Sequence, residues 1–466
     1  MNQLRFEPHA VAGANSKRPR ICLVSPRGPL YRHRTGIWKK SLRYAPLTLT
    51  TLASLIPPEL DAEVRLVDEG IHDIDPELDA DLVGISAITG TAPRSYELAD
   101  HFRRRGLPVV LGGVHPTLMP DEAARHADAV VVGYAEQSWP ELLHDWLGDR
   151  LRDRYVQQPG LSLANLPPPR RDLLPAGEYT TMHTFEATRG CVHACEFCVV
   201  PTAWGRPRQK PIGDVVADIR DTRARRLIFL DLNLIADVEY ARGLFSALIP
   251  LKLSWGGLAT TAIASDPDLL DLAARSGCRA LLLGFESLSA SSLVETRKAF
   301  NLRQDYHEVV RALHARNIAI MGCFVFGFDH DTRETFEATV DFVLEANIDL
   351  PRYAILTPFP GTALHQRLAG AGRILTDDWS LYDGQHVVFQ PVGMAPLQLL
   401  QGTEAAWKRT YSFRSIARRL AGSRTLLPVA LAANLGYRFY AYNLHKFYNC
   451  DWSMGLGNVP LRVGSS

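Results

Sequence analysis

The stretch that decides the fold is TRGCVHACEFCVVP (188–201), which places three cysteines within eight residues. Cys191, Cys195 and Cys198 have the spacing CxxxCxxC, and no fourth cysteine stands nearby. A closed structural zinc site usually needs four protein ligands. His193 lies between the first two cysteines, where the short chain would strain to complete a tetrahedron. A zinc site and plain buried thiols are the alternatives. The pattern favours an iron–sulfur cluster held by three thiolates, with the fourth iron open to a substrate.

This run resembles the cluster motif of radical S-adenosylmethionine (SAM) enzymes, including the aromatic Phe197 before the third cysteine. Segments similar to later parts of that family's barrel follow in the expected order: LIFLDLNLIAD (227–237), LLLGFES (281–287), MGCFVFGFDHDT (321–332) and TPFPGTAL (357–364). The resemblance implies that Cys191, Cys195 and Cys198 hold a [4Fe–4S] cluster whose unique iron binds SAM.

The same resemblance implies contacts to SAM at the carboxyl ends of the barrel strands. Glu286 in GFES, with Gly284 two residues before it, matches the family's acceptor of the ribose hydroxyls. Asp231 and Asn233 are candidates for the SAM amino group, although capping of a helix over 237–248 explains them equally well. The other residues expected to touch SAM, at its carboxylate or its adenine, are Thr260, Thr261, Pro358 and Gly361.

A second strand–helix alternation precedes the cysteines. Short apolar runs typical of buried parallel strands are ICLVS (21–25), VRLVD (64–68), DLVGISA (81–87), PVVLGG (108–113) and DAVVVG (128–133). The clearest helix between them covers 93–106 and stops at Gly106. This alternation predicts an open doubly wound sheet that binds its ligand at the carboxyl ends of the strands, near the topological switch point.

The segments LGGVHPTLMPDEA and VVGYAEQSWPELL resemble the cobalamin-binding domains that precede many radical SAM barrels. The residues expected to contact cobalamin are Ser86, Gly112, Gly113, His115 and Gly133. Those relatives often have Gly-Glu-Gly-Glu where this chain has Gly133, Tyr134, Ala135 and Glu136, and the cobalt-ligating DxHxxG motif is absent. We therefore expect His115 to hydrogen-bond the cofactor or a neighbouring loop. The alternative is a nucleotide-binding-like sheet without a ligand.

The predicted fold class is α/β, with a second alternation in the barrel. Its candidate strands are 183–188, 226–231, 252–260, 279–285, 318–326 and 351–357. Between them, Asp266 with Pro267 is expected to start one helix that ends at Gly277, and Asp331 with Glu334 is expected to cap another. The predicted domains are a disordered tail (1–18), a Rossmann-like cobalamin-binding domain (19–150), a Pro-rich linker (151–182), a partial (β/α)6 radical SAM barrel (183–395) and a mainly helical C-terminal extension (396–466).

Composition narrows the classes of function. The net charge of +1 gives no reason to expect a nucleic-acid partner. No apolar run reaches the length of a membrane span, and the start lacks the apolar core of a secretory signal. The odd number of cysteines, seven, argues against a disulfide framework. We therefore expect the protein to be in the reducing cytoplasm. Cys278 and Cys323 are expected to be core thiols, and Cys450 receives no role. A transfer-RNA methylthiotransferase would need three more N-terminal cysteines, where this chain has only Cys22.

Together the two halves resemble cobalamin-dependent radical SAM enzymes. The resemblance implies a C-methyltransferase that removes hydrogen from an unactivated carbon of a small-molecule or lipid-like substrate and transfers a methyl group from methylcobalamin, with flavodoxin or ferredoxin as electron donor. Ring contraction or oxidative cyclisation without methylation, and a cobalamin sensor without catalysis, stay open. YAPLTLTTLASLIP (44–57) is similar to the subgroup with the anaerobic chlorophyll-ring cyclase and hopanoid methylases, which implies a hydrophobic substrate.

The C-terminal extension is basic over 408–424 and crowded with aromatic residues over 435–452. This composition is typical of amphipathic helices that close the open side of a barrel. It is also compatible with a membrane-surface or lipid-binding role.

Overall fold

The computed structural model describes residues 18–28, 44–179, 181–422 and 427–444. Cys450 and residues 1–17 of the predicted tail lie outside them. Two six-stranded parallel sheets follow one another along the chain and supply its two halves.

The first sheet contains the five strands that the apolar runs predict and one more. Its strands are β1 (Arg20–Ser25), β2 (Glu63–Asp68), β3 (Leu82–Ser86), β4 (Val109–Gly112), β5 (Ala129–Val132) and β6 (Arg154–Val156). The order β2-β1-β3-β4-β5-β6 is that of a doubly wound sheet, with its switch point between β1 and β3. Strand β6 lies within the predicted linker, and two of its three residues are exposed, so no apolar run reveals it.

Helices cover both faces of this sheet. They are α1 (Leu47–Ser54), α2 (Ala92–Arg104), α3 (Val114–Leu118), α4 (Pro120–Ala123) and α5 (Ser138–Leu147). The two faces have separate cores: Phe102 of α2 belongs to one, whereas Leu49 of α1 and Trp139 of α5 belong to the other. Both faces are therefore buried, as a parallel sheet requires.

The second sheet forms an open partial barrel. The strands of this half are β7 (Thr184–Phe185), β8 (Thr188–Arg189), β9 (Arg208–Gln209), β10 (Arg226–Phe229), β11 (Ser254–Ala259), β12 (Cys278–Glu286), β13 (Ala319–Phe326) and β14 (Arg352–Ile355). The sheet order is β7-β10-β11-β12-β13-β14, while β8 and β9 pair separately as an antiparallel ribbon. The predicted strand 183–188 is interrupted because the carboxylate of Asp231 accepts the amides of Ala187 and Thr188.

The helices of the barrel are α6 (Val200–Ala203), α7 (Ile212–Asp221), α8 (Val238–Leu248), α9 (Pro267–Arg275), α10 (Ala290–Glu295), α11 (Tyr306–His314), α12 (Arg333–Glu345) and α13 (Ala363–Gly370). The expected start of α9 is confirmed, since the Asp266 carboxylate accepts the Leu269 amide at 2.9 Å. The expected cap at Asp331 is wrong. Thr332 caps α12, and the buried Asp331 accepts the amides of Gly327 and Phe328 instead.

The C-terminal extension folds as α14 (Pro396–Thr410), α15 (Phe413–Gly422) and α16 (Leu427–Tyr442). Trp407 and Tyr411 are buried in the core of the barrel, and the Tyr353 hydroxyl on β14 hydrogen-bonds Thr410 at 2.7 Å. These helices therefore pack on the outer face of the edge strand β14. Among the described residues, no helix is both long and apolar enough to cross a membrane.

The buried Arg419 joins the extension to the barrel. Its guanidinium donates to the carbonyls of Ile348, Asp349 and Thr410 and to Oδ1 of Asn434. We predict that Arg419→Met lowers the free energy of unfolding by about 3 kcal/mol, because these acceptors would stay buried without a donor.

Urea unfolding of the purified protein measures this loss. The exposed neighbour Arg418 supplies the control, since Arg418→Met should change stability by less than about 0.5 kcal/mol. Equal midpoints for the two variants would contradict the role assigned to Arg419.

Candidate active site at the meeting of the two sheets

The three clustered cysteines lie on one loop between β8 and α6. Gly190 starts this loop at φ +81°, and a Cβ there would lie 2.6 Å from the carbonyl oxygen of Arg206, so only glycine fits. Cys191, Cys195 and Cys198 are all partly buried, and the His193 amide approaches Sγ of Cys191 at 3.5 Å. A single loop therefore presents three thiols at the mouth of the barrel.

The chemistry of this donor set fits an iron–sulfur cluster. Within the described residues, no three His, Cys, Asp or Glu side chains are grouped closely enough to hold one metal ion. A [4Fe–4S] cluster does not need three side chains around one metal ion, because each thiolate binds a different iron. The His193 ring stacks on Phe300 with centroids 3.8 Å apart. Burial raises the pKa of Cys195 to about 11, although the nearby charge of Lys298 acts to lower it. Cluster binding must therefore displace the thiol proton.

Glu286 ends β12 beside this loop. Its φ is +64°, a rare backbone conformation for a residue other than glycine, and its carboxylate forms an ion pair with Lys298 in which both side chains are almost buried. Gly284 makes room for the pair, since a Cβ there would lie 2.7 Å from the Lys298 ammonium. The Lys298 charge also acts on Cys195 and Cys198. Strained backbone and a buried charged pair beside the cysteines mark a candidate binding site.

The sequence interpretation missed Lys298. It lies in the polar segment TRKAFN, twelve residues after Glu286, and has no periodic or motif signal. Asn301, also missed, locks the end of β12 by donating to the carbonyls of Gly284 and Phe285 and accepting from the Thr261 hydroxyl at 2.9 Å. Thr261 is thus engaged in the fold, while Thr260 is only half-buried next to it.

Asp231 and Asn233 are both buried below the cysteine loop. Burial and the neighbouring Glu186 raise the pKa of Asp231 to about 7, despite the two backbone amides that it accepts. Asn233 accepts the Ile235 amide within its own turn at 3.3 Å. The alternative that they cap the next helix is wrong, since Asp237 caps α8 by accepting the Tyr240 amide. Their expected contact with the SAM amino group stays a prediction.

Phe197 belongs to the cysteine loop, and the turn with Pro358 and Gly361 packs close to that loop from the other side. The Phe197 ring lies 6.4 Å from Phe328, and Pro358 is buried. Gly361, at φ +75°, accepts the Thr202 hydroxyl through its carbonyl and contacts Leu118 of the first domain. Their turn therefore lies between the cysteine loop and the first sheet, and an adenine contact stays a prediction.

A large cavity opens where the two halves meet. Its empty volume is about 1220 Å³, part of which is open to solvent. The cavity runs from the carboxyl ends of β1, β3, β4 and β5 to β8 and the start of the cysteine loop. Four of the residues expected to contact cobalamin line it, namely Ser86, Gly112, Gly113 and Gly133, and the contact itself stays a prediction. Helix α1, from the 44–57 segment, forms another wall.

The walls of this cavity suit a flat, amide-rich ligand such as cobalamin. Gly113 and Gly133 adopt positive φ, and a Cβ on either would lie within 3 Å of Ala87 or Gln157. Two polar atoms of lining residues, Oε2 of Glu136 and Oγ1 of Thr188, are buried without a hydrogen-bond partner. A glycine-lined floor permits close approach, and the unpartnered oxygens can accept from amide groups.

His115 does not line this cavity. Its imidazole is fully buried, lies 3.4 Å from Glu122 and packs edge-on against Trp379, with ring centroids 5.5 Å apart. Burial lowers its pKa, so the ring is neutral at pH 7. Of the two contacts expected for His115, the structure shows the one with neighbouring elements, since the ring lies between Glu122 and residue 379 of the barrel half. Its contact with cobalamin stays a prediction. No histidine is among the described residues that line the cavity.

Cys278 is a buried core thiol, as expected. Cys323 differs, since it is only partly buried and lies on the inner face of β13. Alternation along the strand puts it on the side that the helices leave open.

Comparison with known proteins agrees with this geometry. Residues 59–143 match the family model described as B12 binding domain, and residues 185–343 match the Radical SAM superfamily. The chain is 32% identical to bacteriochlorophyllide d C-12(1)-methyltransferase of Chlorobaculum tepidum over 390 residues, which cover 81% of this chain and 85% of the relative. It is 30% identical to the C-8(2)-methyltransferase of the same organism over 397 residues, covering 80% and 87%.

A solved structure shares the fold. It is the radical SAM methyltransferase TsrM of Kitasatospora setae with cobalamin and a [4Fe–4S] cluster bound. The TM-score is 0.60 at 19% identity, with 76% of this chain and 78% of that chain covered.

We predict that Glu286→Gln weakens SAM binding about 10- to 100-fold, because one charge-assisted pair of hydrogen bonds to the ribose would be lost. Equilibrium dialysis on cluster-loaded protein measures the affinity, and the cluster absorbance should stay unchanged. Glu308→Gln, which changes an exposed carboxylate paired with Arg311, is the control. Unchanged SAM affinity in Glu286→Gln would assign Glu286 to the fold alone.

We predict that His115→Ala leaves the electron paramagnetic resonance spectrum of bound Co(II) cobalamin unchanged, because the imidazole does not face the cavity. The variant should be less stable, since its buried side chain would leave a void. His101→Ala is a control at a partly exposed histidine on α2. Nitrogen hyperfine splitting that is present in the wild type and vanishes only in His115→Ala would show that His115 ligates cobalt.

Proposed function

This chain belongs to the cobalamin-dependent radical SAM methyltransferases, and on that premise we propose that it methylates an unactivated carbon on the periphery of a chlorophyllide-like tetrapyrrole. The observation that carries the substrate class is the similarity, over four fifths of the chain, to two methyltransferases named for bacteriochlorophyllide d. The largely apolar inner face of the barrel supports a large hydrophobic substrate.

The cofactors of the enzyme are a [4Fe–4S] cluster, SAM and cobalamin. When bound, they supply hydrogen-atom abstraction from the substrate carbon and the methyl group that replaces the hydrogen. Because the cofactors supply the reactive groups, the protein has to bind and orient the cofactors and the substrate and to exclude water from the site.

Three sets of residues would divide these tasks. Cys191, Cys195 and Cys198 would hold the cluster. The Glu286–Lys298 pair would orient SAM, with Glu286 accepting from the ribose and Lys298 placing a positive charge beside the cluster loop, where the SAM carboxylate is needed. The glycine-lined cavity would hold cobalamin with one face toward the barrel.

The lining of the same cavity determines which side chains could reach cobalamin. Since no described lining residue is a histidine, the protein would leave cobalt without an imidazole ligand. Leu230 and Leu232 line the barrel side of the cavity and would keep the space between the cofactors apolar.

We further propose a cytoplasmic enzyme that takes its electrons from a flavodoxin or a ferredoxin and has no nucleic-acid partner. The described cysteines are all free thiols, which suits a reducing compartment. With a net charge of +1, the protein has no general electrostatic attraction to nucleic acid.

The test is an anaerobic reaction of cluster- and cobalamin-loaded enzyme with SAM, a reductant and bacteriochlorophyllide d. We expect a pigment heavier by one CH2 unit, formed together with 5′-deoxyadenosine and S-adenosylhomocysteine in equal amounts. The triple variant Cys191→Ala, Cys195→Ala, Cys198→Ala is the control and should form neither nucleoside product. Deoxyadenosine without S-adenosylhomocysteine would contradict methylation, and an unchanged pigment would contradict the substrate class.

A further inference from the structure

The inner face of the barrel sheet is open and largely apolar. Along β10 to β14, alternate residues are buried under the helices, while their neighbours face inward and stay partly accessible. The inward residues of the middle and upper barrel are Ile228, Gly256, Leu258, Ala280, Leu282, Met321, Cys323, Val325 and Ala354. Small and apolar side chains leave room for a flat hydrophobic ligand.

Arg352 interrupts this apolar face. It is the first residue of β14 and is exposed, while the next residue, Tyr353, is buried against the C-terminal helices, so Arg352 points to the inner side. In register it lies beside Cys323, which in turn lies beside Gly284. Two strand spacings separate it from Gly284, or about 10 Å. The cation is therefore level with the Glu286–Lys298 pair and not at the bottom of the barrel, where Arg226 begins β10.

Within the part of the chain that the structure describes, no carboxylate neutralises Arg352, which takes part in no ion pair and no side-chain hydrogen bond. Other half-buried arginines of this half, such as Arg189 and Arg367, do have carboxylate partners. The titratable groups that act on it most strongly are the side chains of Tyr437, Cys323, Tyr440 and Tyr44. A guanidinium in a concave, aromatic and apolar setting gains most from an anionic ligand that brings its own charge.

The site expected for SAM already has a cation of its own. The Lys298 charge acts on the thiols of Cys195 and Cys198, so Lys298 lies beside the residues expected to hold the cluster. Cys323 lies between Gly284 and Arg352 in register, and the charges of Arg352, Glu286 and Lys298 all act on its thiol. Arg352 is therefore a second cation of the inner face, two strands away from the Glu286–Lys298 pair, and is available to a second anion.

We propose that Arg352 binds a carboxylate of the substrate in a bidentate pair and thereby sets which edge of the macrocycle faces the reacting centre. This inference rests on the proposed function, since a chlorophyllide carries a free propionate at one edge. The arginine fork matches a planar carboxylate, and the apolar inner face excludes competing water. Arg352 is a specificity-determining residue that does not touch the reacting atoms.

The test compares a free acid with its ester. Pheophorbide a, a chlorin with one free propionate, and its methyl ester are the two probes, and anaerobic equilibrium dialysis against the loaded enzyme measures their affinities. We expect wild-type enzyme to bind the acid about 10- to 100-fold more tightly than the ester, the range for a charge-assisted pair. Arg352→Gln should abolish this preference by weakening acid binding alone, and Arg352→Lys should keep part of it.

Two controls separate a local effect from damage to the fold. Arg352→Gln should retain the wild-type SAM affinity and cobalamin content. Arg409→Gln, which changes an exposed arginine paired with Asp341, should keep the full preference for the acid.

Each other outcome is decisive. Equal affinity of the wild type for acid and ester, or a preference that survives in Arg352→Gln, would overturn the role of Arg352 and leave the tetrapyrrole substrate standing. If the wild type bound neither chlorin, the proposed substrate class would fail and this inference with it. Equal affinity of the wild type for acid and ester would refute the inference without any variant, and if Arg352→Gln failed to fold, Arg352→Lys would still have to lose part of the preference.

Discussion

The buried ion pair between Arg189 and Glu136 is the contact on which the active-site arrangement depends. Arg189 immediately precedes the loop that carries the cysteines, and Glu136 follows β5 of the first sheet. The guanidinium also lies over the Tyr134 ring, which stacks on Trp204 just after α6 with centroids 5.0 Å apart. Two buried charges must be paired well to be tolerated. The pairing fixes the cysteine loop against the carboxyl ends of the first sheet, so that the cofactors of the two halves meet in one cavity.

This contact explains a departure that the sequence alone left unexplained. Where relatives often have Gly-Glu-Gly-Glu, this chain has tyrosine at 134 and keeps glutamate at 136. The structure gives both residues a partner in the barrel half, since Tyr134 stacks on Trp204 and Glu136 pairs with Arg189. Apolar runs and strand-end glycines were sufficient to predict the sheets and much of the cavity floor, because both follow from local pattern.

The side-chain partners of several site residues could not be predicted from the sequence, because they depend on how distant parts of the chain fold together. Lys298 reaches Glu286 because β12 ends at Glu286 and the chain then folds back over Gly284, which has no side chain in the way. His115 follows a glycine-rich strand end, as a cofactor contact would, yet its ring turns to Trp379, which is far away in sequence. Asp331 resembles a helix cap locally, but burial gives its carboxylate two amides of the preceding turn. For Lys298 and His115 a tertiary partner overrides the local signal, and for Asp331 burial of the carboxylate does so.

The barrel strands divide stability and function between their two faces. Outward residues such as Tyr353 and Phe324 join the core beneath the helices, and the C-terminal extension adds Trp407 to that core at the edge strand. Because the outer face alone supplies a continuous core, the inner face need not pack and can carry glycine, alanine and an arginine, Arg352, without a carboxylate partner among the described residues. A closed barrel would fill its interior with side chains. An open six-stranded barrel, sealed at its edge by the extension, keeps that interior free for a large substrate beside the cofactors.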